Sequence, residues 1–185
     1  MEYKVRKNPL FSACGLNCGL CPRYHTDGAS RCPGCAAAGF SEVHPPCGIL
    51  SCCERRGLEY CFLCQEFPCA KYDGVDQSDS FITHKNQFAD FDKAKRIGLD
   101  AYEAELCEKV EILEKLLTHY NDGRRKSLFC TAVNLLELED VKRVMAQIAA
   151  RTKADAPVKE TASIAARLFQ DMAEERAISL KLRKG

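Results

Sequence analysis

The pattern of apolar and polar positions changes once along the chain, near Asp73-Gly74. After this point apolar residues recur at the three- and four-residue spacing of amphipathic helices, and the segment KSLFCTAVNLL is apolar on nearly all sides, as in a buried helix. The pattern predicts helices over residues 79–97, about 100–120, 126–136, about 139–151 and from about 157 onward. Residues 75–185 are therefore predicted to form an α-helical bundle.

Turn and capping residues mark several helix ends. Gly57 is expected to close a short helix over residues 48–56. Gly98 is expected to end the helix predicted over residues 79–97, and Asn121-Asp122-Gly123 to end the helix predicted over about 100–120. Asp100-x-x-Glu103 predicts a capping box. We find no internal repeat along the sequence.

Apolar residues are sparse between Cys14 and Cys69, where only twelve large ones occur in about fifty-six positions. Ordering a chain costs about 1–2 kcal/mol per residue in conformational entropy, which so few apolar side chains do not offset. Gly, Ala, Ser and Pro are frequent from residue 23 to residue 46 and predict loops. We therefore expect residues 1–74 to be a loop-rich module held together by another kind of bond.

Cysteines are the residues able to supply that bond. Eleven of the thirteen lie in this stretch, and three pairs are spaced C-x-x-C, namely Cys18-x-x-Cys21, Cys32-x-x-Cys35 and Cys61-x-x-Cys64. This spacing lets two thiolates bind one metal ion from a tight turn. The predicted fold is mainly α, with a loop-rich metal-stapled N-terminal module, residues 1–74, packed against a C-terminal helical bundle, residues 75–185.

Structural zinc is the first choice of metal, because zinc accepts four thiolates in many loop geometries. Ten or eleven cysteines suffice for two all-cysteine sites, whereas three sites would need His25 or His44 as additional ligands. The spacing leaves the partition among sites open. One pairing would join Cys32 and Cys35 with Cys61 and Cys64 around one ion.

An iron–sulfur cluster is the alternative, since such clusters are also held by thiolates. Cys14-x3-Cys18-x2-Cys21 has the spacing of the radical-SAM cluster motif, but too little chain follows to build a barrel around it. Reduced or loosely paired thiols form a third alternative, which leaves the weak core unexplained.

Charge and hydropathy limit the other classes. The net charge is +1, with eight basic and seven acidic residues in 1–74 and nineteen of each in 75–185. This charge balance does not favour nucleic-acid binding, because a nucleic-acid-binding protein normally carries an excess of basic residues. No apolar run has the length of a signal peptide or a membrane span, so we expect a cytoplasmic protein whose cysteines are metal ligands rather than disulfides.

Outside the cysteine-rich stretch no side chain stands out as catalytic. Cys107 and Cys130 are expected to be buried free thiols. His84 is expected on a helix surface, and Arg124-Arg125-Lys126 as a solvated charge run. The leading prediction is therefore that the protein is a structural zinc or interaction module with an unknown protein partner. We expect it to act by binding rather than by catalysis. The alternative is an iron–sulfur redox protein or metal-dependent enzyme.

The segments CGLNCGLCP, CPGC, CGILSCC, CFLC and EFPC together resemble a prokaryotic family of small cysteine-rich proteins. This is a domain of unknown function, usually regarded as zinc-binding, with a Cys-Gly-Leu … Phe-Pro-Cys signature, and the resemblance covers about residues 12–72. It leaves Cys53 as an extra thiol. The metal ligands that the resemblance implies are Cys14, Cys18, Cys21, Cys32, Cys35, Cys47, Cys52, Cys61, Cys64 and Cys69.

Overall fold

The computed structural model describes residues 3–153 and 155–184, and within these residues the protein is mainly helical, with seven α-helices and no β-strand. The N-terminal part is rich in loops and contains three short 3-10 turns, Cys18–Leu20, Cys61–Leu63 and Ala70–Tyr72. The helices are α1 (Phe40–Val43), α2 (Gly48–Arg56), α3 (Gln87–Ile97), α4 (Leu99–His119), α5 (Lys126–Leu135), α6 (Leu138–Arg151) and α7 (Val158–Glu175). The mainly α fold with a loop-rich N-terminal part is confirmed.

The contacts divide the chain into two compact units. The first, here the cysteine-rich unit, comprises Met1–Cys107 together with Leu182–Gly185, and the second, here the helical unit, comprises Glu108–Lys181. The sequence-based boundary after Gly74 marks a change in composition. Packing does not test that boundary, which stays a prediction.

The helical unit has an apolar core of the kind that its sequence pattern indicates. The rings of Phe129 in α5 and Phe169 in α7 lie 5.9 Å apart, and Val144 and Ile148 of α6 are fully buried. Val158 is 52% exposed at the first position of α7. Helical spacing identified the core face correctly, except at the end of the helix.

A carboxylate at the beginning of α6 organises the polar side of the helical unit. Arg176 donates to both oxygens of Asp140, over 2.6 and 2.8 Å, and Arg143 adds a 2.8 Å bond. The Arg176 and Arg143 hydrogen bonds lower the pKa of Asp140 to about 2, although burial acts in the opposite direction. Such a two-pronged guanidinium–carboxylate pair is among the stronger polar contacts in proteins.

The core of the cysteine-rich unit is aromatic and draws on residues beyond the cysteine cluster. Phe11 is fully buried, with its ring centroid 5.1 Å from Tyr60, 5.6 Å from Phe91 and 4.7 Å from Tyr102. Phe91 lies in α3 and Tyr102 in α4. The stretch from Cys14 to Cys69 therefore shares a hydrophobic core with residues that precede and follow it, which its own composition did not indicate.

The segment ahead of α3 is not the helix that its apolar residues predicted. Asp79 has a fully buried side chain that accepts hydrogen bonds from the backbone N–H groups of His84, over 2.8 Å, and Arg183, over 2.7 Å. The helix begins only at Gln87. His84 was expected on a helix surface and instead lies in this loop, because the backbone there is tied to the end of the chain.

Two further expectations about α4 are wrong, while the stop signals are confirmed. The helix begins at Leu99, so Asp100 is not its cap, and the Glu103 carboxylate accepts a 2.5 Å hydrogen bond from Tyr60 instead. Cys107 is exposed, whereas Cys130 is buried as expected. Gly57 caps α2 in the left-handed conformation, with φ of 66°, as expected.

Candidate metal centre

Two of the C-x-x-C segments fold into the same tight turn, called here a knuckle. The backbone N–H of Cys21 donates to the carbonyl of Cys18 over 3.1 Å, and that of Cys64 donates to Cys61 over 3.0 Å. Cys21 and Cys64 leave their knuckles with φ, ψ of −75°, 136° and −78°, 137°. The two segments therefore present their cysteine pairs on matching backbones.

The match extends beyond the cysteines. Residues 18–24 and 61–67 share the pattern Cys-x-Leu-Cys-x-x-aromatic. In both, the N–H of the aromatic residue donates to the carbonyl of the second cysteine, over 3.0 Å at Tyr24 and 3.1 Å at Phe67. The leucine and aromatic positions were the signal in the sequence that could have identified this shared turn.

Residues outside the cysteine pattern hold the first knuckle in place. Asn17, directly before it, is buried, accepts a 3.0 Å hydrogen bond from the Tyr102 hydroxyl and donates a 2.9 Å bond to Asp90. Asp90 lies in α3 and Tyr102 in α4. Sequence reasoning missed these three residues, because polar side chains on amphipathic helices resemble ordinary surface positions.

The backbone at Cys14 is held equally closely. Its carbonyl accepts hydrogen bonds from Gln87, over 2.6 Å, and from the Tyr72 hydroxyl, over 3.2 Å. Gly15 follows with φ of +92°, and a Cβ on it would lie 2.8 Å from the ring of Phe91. Only glycine fits this close approach in this backbone conformation. The first Cys-Gly pair of the chain is thus required by packing on α3.

Six cysteines form the first group of neighbouring thiols, namely Cys14, Cys18, Cys21, Cys32, Cys35 and Cys47. Burial, with a smaller contribution from the neighbouring Cys35 and Cys47, raises the pKa of Cys14 to about 12. Burial also raises the pKa of Cys18 well above its ordinary value. A positive charge placed beside these two buried thiols would favour their thiolate forms.

Backbone amides in the first group donate to sulfur. The N–H groups of Arg23 and Tyr24 hydrogen-bond to Cys21, and that of Ala13 to Cys35. These bonds favour the thiolate, and they oppose the burial that raises the pKa of both cysteines. Donors of this kind commonly surround metal ligands and orient them.

The second group of five thiols lines one cavity of about 60 Å³. Its cysteines are Cys52, Cys53, Cys61, Cys64 and Cys69, and its other lining residues include Arg56 and Lys71. Arg56 donates to the Cys64 sulfur over 3.3 Å and is held by a two-pronged contact with Glu66, at 2.9 and 3.0 Å. A cavity of this volume is large enough for a water-sized occupant.

The predicted ligands fall into these two groups, six in the first and four in the second, with Cys53 as the fifth thiol of the second. All thirteen cysteines are free of disulfides. Within residues 3–153 and 155–184, no three His, Cys, Asp or Glu side chains stand in an arrangement that could already hold an ion. The ligand set therefore stays a prediction.

The predicted pairing of Cys32 and Cys35 with Cys61 and Cys64 around one ion is not what the structure shows, because these two pairs lie in different thiol groups. Cys61 and Cys64 line the cavity, whereas Cys32 and Cys35 do not and instead neighbour Cys18. The chain returns Cys32 to the first knuckle through its N–H, which donates to the carbonyl of Arg23 over 3.0 Å.

The two histidines considered as additional ligands both turn to backbone carbonyls. His25 Nε2 lies 2.8 Å from the Gly19 oxygen, and His44 Nδ1 lies 2.7 Å from the Pro45 oxygen. His44 also stacks on Phe40, with ring centroids 4.4 Å apart. Each of these imidazoles therefore has one ring nitrogen within hydrogen-bond distance of a backbone carbonyl oxygen.

Comparison with known proteins supports a coarse assignment. No helix in the described part of the chain is both long enough and apolar enough to span a membrane. No curated protein and no solved structure matches the chain. A family model matches the cysteine-rich stretch of the chain on which the resemblance rests. The description of that family names neither a metal nor a reaction. Residues 10–74 match the model of the family described as "Protein of unknown function (DUF3795)".

Proposed function

We propose that the cysteine-rich unit binds structural zinc through the thiolates of residues 14–69 and serves as a structural or interaction module without a catalytic role of its own. The observation that carries this proposal is the repeated knuckle, in which two C-x-x-C pairs share one backbone conformation and lie among seven further free thiols of residues 14–69. Two such pairs, each joined by neighbouring cysteines, provide the four-sulfur sets that zinc prefers.

The residues fit a thiolate-bound cation. A single χ1 rotation of a cysteine moves its sulfur by about 3 Å, so neighbouring thiols can converge on an ion without movement of the backbone. Charge also fits, since Arg6 lies beside Cys35 and Arg56 beside Cys64. Bound zinc would supply cross-links between loops, and four thiolates leave no coordination position for a substrate.

Metal analysis tests the proposal. Protein purified under reducing conditions without added metal is expected to contain at least two zinc ions per chain. Removal of zinc by a chelator should greatly increase amide hydrogen exchange in residues 14–72, whereas α5–α7 should keep their protection, and added zinc should reverse the change.

Two results would change this assignment. Protein that lacks zinc as purified and after addition of zinc, yet keeps the same exchange protection in residues 14–72, contradicts the proposal. Brown protein that contains iron and acid-labile sulfide would favour the iron–sulfur alternative.

A further inference from the structure

We infer, resting on the proposed zinc binding, that the cavity beside α2 is a separate four-thiolate metal site formed by Cys61, Cys64, Cys69 and Cys52, the more exposed of the two adjacent cysteines in α2. The zinc proposal by itself leaves the division of thiols among ions open. The cavity supplies that division.

The cavity collects its thiols from three places in the chain. Cys52 comes from α2, Cys61 and Cys64 from the second knuckle, and Cys69 from the residue before the last 3-10 turn. The knuckle provides two thiols, and α2 and the Cys69 position provide one each. Together they give the four sulfurs that a tetrahedral metal site requires. No cysteine of the first group lines this cavity.

Cys52 and Cys53 are adjacent in α2 and both line the cavity, but their surroundings differ. Cys53 is 3% exposed, which is typical of a free cysteine that packs as a small hydrophobic side chain. Cys52 is more exposed than Cys53. We therefore assign Cys52 as the ligand from α2.

The surrounding charges suit four thiolates and a divalent ion, which together carry a charge of about −2. The charged side chains that line the cavity are those of Arg56, Lys71 and Glu66. The Glu66 carboxylate balances one of the two cations, so the three side chains together carry a net charge of +1. Arg56 is held by Glu66 so that its other nitrogen donates to the Cys64 sulfur over 3.3 Å. Donors of this kind orient ligands and offset their charge.

The matched pair Cys52→Ser and Cys53→Ser tests the assignment, because the two changes are chemically identical and one residue apart. Zinc per chain is measured in the full-length protein, together with the sulfur-to-metal charge-transfer absorbance after replacement of zinc by Co²⁺. We expect Cys52→Ser and Cys69→Ser each to lose one ion per chain, and Cys53→Ser to lose none. Loss of an ion in Cys53→Ser with full retention in Cys52→Ser overturns the assignment.

Independence of the two thiol groups is tested with Cys32→Ser in the first group. The double variant Cys32→Ser/Cys69→Ser should lose one ion more than either single variant. A double variant that loses no more than Cys69→Ser alone would show one shared site and refute the separation.

Failure of this inference and failure of zinc binding are distinguishable. Wild-type protein without zinc refutes the zinc proposal, and the site with it. Wild-type zinc that persists fully in Cys52→Ser and in Cys69→Ser refutes only the site. Should Cys52→Ser not fold, Cys52→His keeps a metal ligand there. We expect it to restore the ion, with a Co²⁺ spectrum of three sulfurs and one nitrogen; an unaltered four-sulfur spectrum would refute the role of Cys52.

Discussion

Phe91 in α3 is the ring on which the aromatic core of the cysteine-rich unit converges. It is fully buried, and its centroid lies 5.6 Å from Phe11, 4.8 Å from Phe62 and 5.4 Å from Phe67. Truncation to alanine removes all three ring contacts and leaves a cavity. Buried Phe→Ala changes cost about 3–5 kcal/mol, and each aromatic pair contributes about 0.5–1.5 kcal/mol of such a total. With three pairs lost, we expect Phe91→Ala to lower the free energy of unfolding by about 4 kcal/mol.

The control lies on the same helix. Phe88 is 36% exposed, and its ring centroid lies 5.8 Å from that of Phe67 and 5.2 Å from that of Tyr72, so Phe88→Ala should cost about 1 kcal/mol. The assay is urea unfolding of the metal-loaded protein followed by tyrosine fluorescence, which is usable because the chain has no tryptophan. A loss in Phe91→Ala below about 2 kcal/mol, or equal to that in Phe88→Ala, would refute the shared aromatic core.

Two further predictions use matched or internal controls. Gly15→Ala should lower the free energy of unfolding by about 3 kcal/mol, because the new Cβ overlaps the Phe91 ring and the backbone has a positive φ. The control is Gly28→Ala, at φ of +82° with no atom within 4 Å of the new Cβ, which should cost about 1 kcal/mol. Equal losses of stability in urea unfolding would contradict this prediction. Asp140→Asn should lower the free energy of unfolding by about 2 kcal/mol at pH 7. Because the folded pKa of Asp140, about 2, is below its ordinary value of 3.8, the wild-type advantage should be present above about pH 4 and disappear as the pH falls towards 2. A difference that is constant down to pH 2 would contradict it.

Local sequence determined most of the helices. The end of α2 at Gly57, the end of α3 at Gly98 and the buried faces of α6 and α7 follow from residues within one or two turns of each other, so spacing and capping residues were enough to predict them. The metal chemistry of residues 14–69 was likewise suggested by residue type and spacing alone, and it stays a prediction.

Tertiary contacts decided what lies between the helices. Residues 79–86 carry apolar residues of helical appearance, but the Asp79 side chain binds backbone groups at His84 and at Arg183, which is 104 residues away. The aromatic core joins Phe11 to Phe91 and Tyr102 in the same way. Periodicity reports one element at a time, so it contains no information about such long-range partners.

The sequence by itself determined that the cysteines are many, closely spaced and largely arranged in C-x-x-C pairs. Only the tertiary structure decided their neighbours, placing Cys32 near Cys18 and placing Cys61 with Cys69 at the cavity beside α2. The physical reason is that a C-x-x-C turn sets the positions of two sulfurs only. The partners of each pair depend on how the intervening loops fold back, and buried hydrogen bonds such as that from Gln87 to Cys14 direct those loops.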